Sequence, residues 1–218
     1  MKRISVSIFN LLVFLSITAT LGGQDTTKVY GLRLGADLAR AGYYFAIPSE
    51  KGLEFSADFE VYPNVFATLE AGGMSCFIDR DLYNAGFSGS YFRIGADYNF
   101  LKIKEKPNNH MIYAGLRYGF SSYTQTWDSA YVPSAVWGDR LLAFEIPQNA
   151  HWIGITGGLK VEVLKNFYLG WSVQYNFILS KFSDTIDPFL IPGYGHLTEK
   201  KPVSIHYSLF YTIPFFRK

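Results

Sequence analysis

The sequence has little charge, almost no cysteine and no long apolar run beyond its first residues. Only 17% of its 218 residues are charged, against about 25% in a typical soluble domain, whereas 49% are hydrophobic and 18% are aromatic. This composition excludes a disordered chain, because it provides far more apolar surface to bury than disordered sequences contain. The length allows one domain, or two small ones.

The single cysteine, Cys76, excludes an intramolecular disulfide. It also lies too far from the N-terminus to be the acylated first residue of a lipoprotein. Stability therefore has to come from packing or from a closed ladder of hydrogen bonds.

An excess of basic charge is also missing. Two of the 20 basic residues, Lys2 and Arg3, lie in the first segment, which leaves 18 basic against 18 acidic residues in the rest of the chain. This neutral balance argues against a nucleic-acid partner, which requires clustered Lys and Arg residues.

Residues 1–23 have the order of a secretory signal peptide, in which basic residues precede an apolar run and then small residues. The apolar run is interrupted by Asn10 and Ser16, and it is shorter than the roughly 20 residues of a membrane-spanning helix. We predict removal of this segment, with cleavage between Thr20 and Gln24. Residues 24–218 then form one exported domain, whose membrane contact cannot come from a helix.

The mature chain alternates apolar and polar residues in eight runs, which predicts eight β-strands. The runs are 30–38, 53–61, 65–72, 92–100, 112–121, 153–162, 167–177 and 203–213. Each is about ten residues long, close to the ~9 to 11 that a tilted strand needs to cross a bilayer. One face is aliphatic and aromatic, whereas the other combines glycine, hydroxyl and charged residues.

Short and long connections alternate between these runs, as in outer-membrane barrels with short periplasmic turns and long extracellular loops. We therefore predict an all-β, eight-stranded antiparallel up-and-down transmembrane β-barrel in the outer membrane, with both termini on the periplasmic side. The alternative is an exported soluble barrel that binds an apolar ligand.

Two short turns belong to an internal repeat. Residues 60–66 are echoed by residues 162–168, and the repeat places Asn64 and Asn166 at equivalent turn positions. Asparagine tolerates a positive φ, so both turns are predicted to be tight.

The mature chain resembles the small eight-stranded outer-membrane barrels of Gram-negative bacteria, and within them an uncharacterised family of exported proteins from the Bacteroidetes. The resemblance covers Gln24 to Phe215 and is carried by residues 24–33, 97–101, 115–121, 165–167, 169–172 and 191–195. It implies a location and a fold but no chemistry. One departure is that Arg217 and Lys218 follow the C-terminal aromatic pair, whereas such barrels often end on an aromatic residue read by the barrel assembly machinery.

Charged side chains on the polar face are predicted to fill the lumen as a paired network, because an eight-stranded barrel is only wide enough for its own side chains. The predicted network, which also includes a histidine, consists of Arg33, Asp37, Glu54, Asp58, Glu70, Arg93, Asp97, Arg117, Lys160 and His206. With Glu60 and Glu162 added, the acidic residues are in excess, which leaves a narrow proton or cation path as an alternative. His206 and Ser208 share a face and resemble the catalytic pair of lipid A deacylases, so an outer-membrane enzyme is a further alternative. We predict no metal site and no cofactor.

The long connections 122–150 and 180–202 are predicted extracellular loops, and they contain the candidate recognition residues Trp137, Phe189 and Tyr194. Alternatively these loops fold back over the barrel mouth. The predicted function is a structural or surface-interaction role, more plausible than catalysis. The expected partners are outer-membrane lipid, the barrel assembly machinery and an extracellular partner of unknown identity.

Overall fold

The computed structural model describes residues 29–46, 50–80, 83–101, 110–132, 140–182, 188, 190–196 and 202–217. The predicted signal peptide, Trp137 and Phe189 lie outside the described residues. In chain order the elements are β1 (Val29–Asp37), α1 (Leu38–Ala46), β2 (Glu50–Tyr62), β3 (Val65–Arg80), β4 (Tyr83–Asn99), β5 (Met111–Val132), β6 (Arg140–Leu164), β7 (Phe167–Ile178), β8 (Leu190–Ile191), β9 (Gly195–His196) and β10 (Val203–Arg217).

Eight strands close into an antiparallel barrel in the order β1-β10-β7-β6-β5-β4-β3-β2, while β8 and β9 form a separate two-stranded sheet. Apart from the pair that closes the ring, neighbours in the barrel are neighbours among the barrel strands of the sequence. The prediction of an all-β, eight-stranded antiparallel up-and-down barrel is therefore confirmed. Within the described chain, no helix has the length and apolar character needed to cross a membrane.

The internal repeat corresponds to two equivalent turns at the end of the barrel where β1 begins and β10 ends. Asn64 and Asn166 have φ values of 64° and 68°. The backbone N–H of Asn64 donates to Glu60 at 2.9 Å, and that of Asn166 donates to Glu162 at 2.9 Å. Each glutamate thus stabilises its own two-residue turn, which also explains why it recurs four residues before the asparagine.

The lower barrel, on the side of these turns, has apolar residues outside and polar residues inside. Leu69, Ile94 and Leu116 are among its outward side chains and are exposed, while Arg93 and Asp97 are among its inward side chains and are buried. Its upper limit lies at the row in which Phe92 pairs with Phe120 and Phe120 with His151.

Above this row β3 to β6 continue as a four-stranded upper ribbon, made of residues 72–80, 83–91, 121–132 and 140–150. Its polarity is reversed. Tyr91, Phe87 and Tyr123 point inward and are buried, whereas outward positions such as Ser88 and Ser122 are polar and exposed.

The prediction of residues 122–150 as a loop is therefore wrong, since most of them belong to β5 and β6. These two strands have 22 and 25 residues, and β3 and β4 have 16 and 17, rather than about ten. The predicted alternation assumes that apolar residues stay on one face of each strand. This assumption stops being valid at the start of the upper ribbon, where the apolar residues change to the inward face.

A helix that the sequence analysis did not predict follows β1. Leu38 was assigned to the first strand, but α1 begins there because the Asp37 carboxylate accepts hydrogen bonds from the backbone N–H groups of Ala39 (2.8 Å) and Arg40 (3.2 Å). This is N-capping, which satisfies donors that have no partner inside the helix.

Residues 188 and 190–196, which we call the cap, fold into the mouth of the barrel. Leu190 and Ile191 pair with His196 and Gly195 in a small hairpin. Leu190 packs with Cys76 and Phe87, and Ile191 with Tyr91 and Trp152, so the cap completes the core of the upper ribbon.

One edge of the upper ribbon has no strand beside it in the described chain. Residues 140–150 of β6 pair with β5, whereas β7 pairs with β6 only from Trp152 onward. The backbone of His151 bonds toward the β7 side, through Leu179 and Ser180. By the two-residue alternation of strands, the backbone nitrogen of Pro147 faces this open edge and carries no hydrogen.

Candidate functional site

The interior of the lower barrel contains the ten residues proposed as a polar network. Nine of them are buried and Glu70 is half-buried. They reach the interior because all lie on the polar face of their strands, which points into a closed barrel. Three groups of contacts connect them.

The first group is centred on Glu70 and Asp97. The Arg117 guanidinium binds Asp97 through two nitrogens, at 2.6 and 2.9 Å, and its Nε contacts Glu70 at 3.0 Å. Arg93 contacts the other Glu70 oxygen at 2.6 Å. Thr68 donates to Asp97 at 3.1 Å. Two-pronged Arg–carboxylate contacts of this kind fix side-chain geometry as well as charge.

The second group is centred on Glu54, which accepts contacts from four side chains. Arg93 donates to Oε1, while Arg40 contacts Oε2 at 2.9 Å and the Tyr91 hydroxyl donates to Oε2 at 2.5 Å. His206 Nδ1 lies 3.5 Å from Oε1. The same His206 nitrogen lies 2.8 Å from Asp37, so the carboxylate that caps α1 is tied to the network.

The third group surrounds Asp58. Lys160 Nζ donates to Asp58 at 2.6 Å, and Arg33 Nε lies 3.6 Å from its other oxygen. The Lys160 ammonium also lies 4.7 Å from the ring centre of Phe210, and the Arg33 guanidinium lies 4.8 Å from that of Tyr168. Contacts with aromatic faces stabilise such cations where water is excluded.

Within the network of ion pairs, the expected acidic excess is absent. Glu60 and Glu162 serve the turns, as described above, and α1 brings in an additional cation, Arg40. Five carboxylates thus face five permanent cations, with His206 between two of the carboxylates. A balanced interior provides no run of uncompensated acidic groups for a cation to follow.

Asp37, Glu54 and His206 offer ligand atoms that all lie within 4.8 Å of one another, the geometry of a potential metal site. The donor set does not favour a cation, because the Arg40 and Arg93 guanidiniums already neutralise Glu54. His206 Nε2 is buried without a protein partner. A cavity of about 30 Å³ lined by His206, Ser208, Thr68 and Lys160, among others, provides room for a water molecule.

The cap closes the lumen from above. Tyr194 is only 1% exposed, and its ring packs edge-on against Trp152, with ring centres 5.9 Å apart. Asn176 donates to the Tyr194 carbonyl at 3.2 Å, and Arg93 donates to the Gly193 carbonyl at 3.4 Å. Tyr194 is therefore not an exposed recognition residue, because the apolar inner face of the upper ribbon buries it.

Gly193 shows how closely the cap fits. Its φ of 78° lies in the left-handed region, and a Cβ at this position would meet the ring of Tyr91. Only glycine satisfies both constraints without strain.

A family model described as Domain of unknown function (DUF6048) matches residues 1–218. The chain belongs to this family. The prediction that the chain belongs to an uncharacterised family is thereby confirmed. A comparison of its sequence with curated proteins finds no match.

Among solved structures, the DUF6048 chain is similar to the crystal structure of Neisserial surface protein A (NspA). The two sequences are 10% identical, and the superposition covers 85% of this chain and 96% of the other, with a TM-score of 0.43.

Two members of the interior network of this DUF6048 chain were missed by sequence reasoning, Arg40 and Tyr91. Arg40 lies outside the predicted strands, although an aspartate three residues before it is a signal of helix capping. Tyr91 lies just before a predicted strand, in the part of β4 where the inward residues become aromatic. Ser208 faces the same interior as His206, but the cavity beside them has room only for water.

Proposed function

We propose that this chain is an integral outer-membrane β-barrel with a filled lumen and a structural or surface-interaction role. The observation that supports this proposal is the polarity of the lower barrel, which has a paired ionic interior and an apolar exterior. Burying charges while exposing leucine and phenylalanine is unfavourable in water but favourable in a bilayer.

The dimensions of the apolar exterior fit a bilayer. Along β4 and the residue that follows it, the apolar exterior extends from Phe92 to Phe100, which corresponds to roughly 20 to 25 Å for about 3.3 Å per residue and a tilt of about 40°. Aromatic residues lie at both limits. Phe120, and Tyr118 hydrogen-bonded to His151 at 2.6 Å, lie at the upper limit, and Phe100 and Tyr62 lie at the lower limit. Such aromatic girdles are typical of membrane–water interfaces.

The proposed orientation places both termini and the two-residue turns in the periplasm. Val29 pairs with Arg217, so the ends of β1 and β10 lie together at the turn end. The upper ribbon, α1 and the cap then stand on the extracellular side. This arrangement follows the length asymmetry of outer-membrane barrels, whose periplasmic turns are short.

The other candidate functions fit the interior less well. A channel requires an open path, whereas this lumen contains side chains in ionic contact beneath a packed cap. A soluble barrel for apolar ligands requires an apolar cavity, whereas the lumen cavity beside His206, among the described residues, is small and polar.

A matched pair of substitutions on β5 tests the membrane location. Leu116 lies in the middle of the apolar exterior and is 61% exposed, whereas Thr124 lies on the same face of the same strand, in the upper ribbon. Leu116→Arg should reduce insertion into phospholipid vesicles and destabilise the inserted barrel by about 2 to 4 kcal/mol. Thr124→Arg should insert like the parent. Protease protection and urea unfolding of the vesicle-bound protein measure both effects.

A soluble barrel would give the opposite result, since an exposed Leu116→Arg change would leave its fold intact and improve its solubility. Equal insertion of both variants would therefore contradict the proposal.

A further inference from the structure

The outer face of the upper ribbon carries a depression of about 300 Å³ just above the apolar exterior. Gly86 forms its floor, where the missing side chain leaves open space next to Thr126. Its other walls come from the adjoining start of β2, with Lys51, and from β3 and β4 of the ribbon, with the outward side chains of Ser75, Phe77 and Ser88.

The depression lies at the level of lipid head groups in the proposed membrane orientation. Lys51 is two residues beyond Leu53, the last exposed apolar residue of β2, and it pairs with Ser75, which pairs with Ser88. Two residues of a strand span about 7 Å. The site therefore adjoins the apolar exterior of the lower barrel.

Phe77 is set apart from the other exposed apolar side chains. Among the residues of β3 to β6 whose side-chain burial the structure describes, it is the one large apolar side chain that is exposed, at 47%, above the polar row of Ser90 and Ser122. An aromatic ring surrounded by hydroxyl groups has no lipid tail to contact at this height. It offers an apolar surface on which the C–H face of a sugar ring can be buried.

The remaining groups match the rest of a sugar head group. The hydroxyls of Ser75, Ser88 and Thr126 can both donate and accept hydrogen bonds, as sugar hydroxyls require. Lys51 supplies positive charge at the end of the depression nearest the membrane, where a phosphate or carboxylate of a lipid would lie. Asp79 is the nearest carboxylate on this face of β3. It lies two residues beyond Phe77, farther from the membrane.

We propose that this depression binds the anionic saccharide head group of a membrane glycolipid, with the charged substituent at Lys51 and a sugar ring on Phe77. The inference rests on the outer-membrane location proposed above. It gives the surface role a ligand class, a lipid of the surrounding leaflet rather than a soluble partner.

The test uses the full chain and a probe glycolipid whose disaccharide head group carries phosphate. In a first experiment, insertion of the parent and the variants into phospholipid vesicles is measured. In a second, the vesicles also contain the probe, and mass spectrometry counts the probe molecules that each barrel retains after detergent extraction. The double variant Lys51→Ser/Phe77→Ser should retain at least tenfold less probe than the parent. The control Lys181→Ser/Leu179→Ser makes equivalent changes elsewhere on the upper rim and should stay within twofold of the parent.

The outcomes separate the two proposals. If the parent fails to insert into phospholipid vesicles, the membrane location is wrong and this inference falls with it. If both variants insert and retain as much probe as the parent, or lose it equally, the glycolipid site is wrong while the location stands. If the deacylated head group in solution competes as tightly as intact glycolipid, the ligand is a free saccharide and the membrane source is wrong.

Discussion

The buried charges of the lumen differ in how many partners they have and in how close those partners lie. Asp97 receives two guanidinium contacts and a threonine hydroxyl, whereas Asp58 depends on one close ammonium and a more distant guanidinium. Since a buried charge is tolerated only when it is compensated, the Asp58 pair is the clearest place to measure this dependence.

Lys160→Met is one atom shorter than lysine and keeps the apolar stem that packs near Phe210, but it removes the cation. Asp58 then keeps only the 3.6 Å contact with Arg33. We expect a loss of about 3 kcal/mol in the free energy of unfolding, because breaking one partner of a buried pair leaves the other uncompensated. Urea unfolding of the protein in detergent micelles measures it.

A double-mutant cycle adds a second substitution, Asp58→Asn, alone and together with Lys160→Met. In the double variant Lys160→Met/Asp58→Asn no carboxylate is left unpaired, but buried Arg33 loses its contact with Asp58, so only part of the lost stability should return. If the double variant is as unstable as the two single losses combined, the pair contributes through something other than charge compensation.

At the scale of elements, the cap and the upper ribbon form one packing unit, and Cys76 reports on it. Cys76 is buried next to Leu190, and it is the only cysteine in the chain. Burial, and to a smaller extent the nearby Glu50 carboxylate, raises the pKa of its thiol. Both effects slow its reaction with maleimide, since the thiolate is the reactive form.

Gly193→Val should release the cap, because the new side chain meets Tyr91 and the backbone conformation disfavours a β-branched residue. Labelling of Cys76 by a water-soluble maleimide should then become at least tenfold faster, as the thiol is exposed and its pKa falls toward the ordinary value. Gly42→Val is the control, since a Cβ at Gly42 has no neighbour within 4 Å. Unchanged labelling in Gly193→Val would mean that the cap tolerates the larger residue.

The alternation of residues was sufficient to predict the eight strands of the lower barrel and the inward orientation of Arg33, Arg93 and Arg117. This succeeds because each strand of the closed lower barrel has one face outside and the other face inside along its whole length. The upper ribbon could not be predicted in this way, since Phe87 and Tyr123 face inward while Phe92 and Phe120, on the same strands, face outward. Such a change of face looks like a broken strand in the sequence.

The sequence reasoning also missed contacts that only the closed fold creates. Arg40 reaches Glu54 because α1 begins at the barrel mouth, and Tyr194 is buried because the cap folds inward. The residues next to Arg40 and Tyr194 in the sequence do not indicate these contacts, because both contacts join segments that meet only after the barrel has closed.

At the scale of the whole molecule, the lower barrel has its own ladder of hydrogen bonds and its own ionic interior. We expect that replacing residues 187–195 with a short Gly/Ser linker leaves a barrel that still inserts into vesicles, because the strand ladder is unchanged and loop closure costs little free energy. The upper ribbon of this variant, having lost part of its core, should become sensitive to protease while the lower barrel stays protected. Limited proteolysis with mass spectrometry of the fragments distinguishes the two regions.

Failure of this variant to insert would indicate that the cap is needed for assembly of the whole molecule. The two regions would then be one cooperative unit.

In the proposed outer-membrane location, the edge of β6 that is open in the described chain limits how copies of this protein can meet. An uninterrupted strand edge of eleven residues is a template on which the same edge of a neighbour could zip up into a continuous sheet. Pro147, the eighth of these eleven residues, interrupts that template, because its nitrogen has no hydrogen to donate to a neighbouring strand. Molecules held in one plane by the membrane, and therefore colliding constantly in the same orientation, can then pass each other without fusing into aggregates.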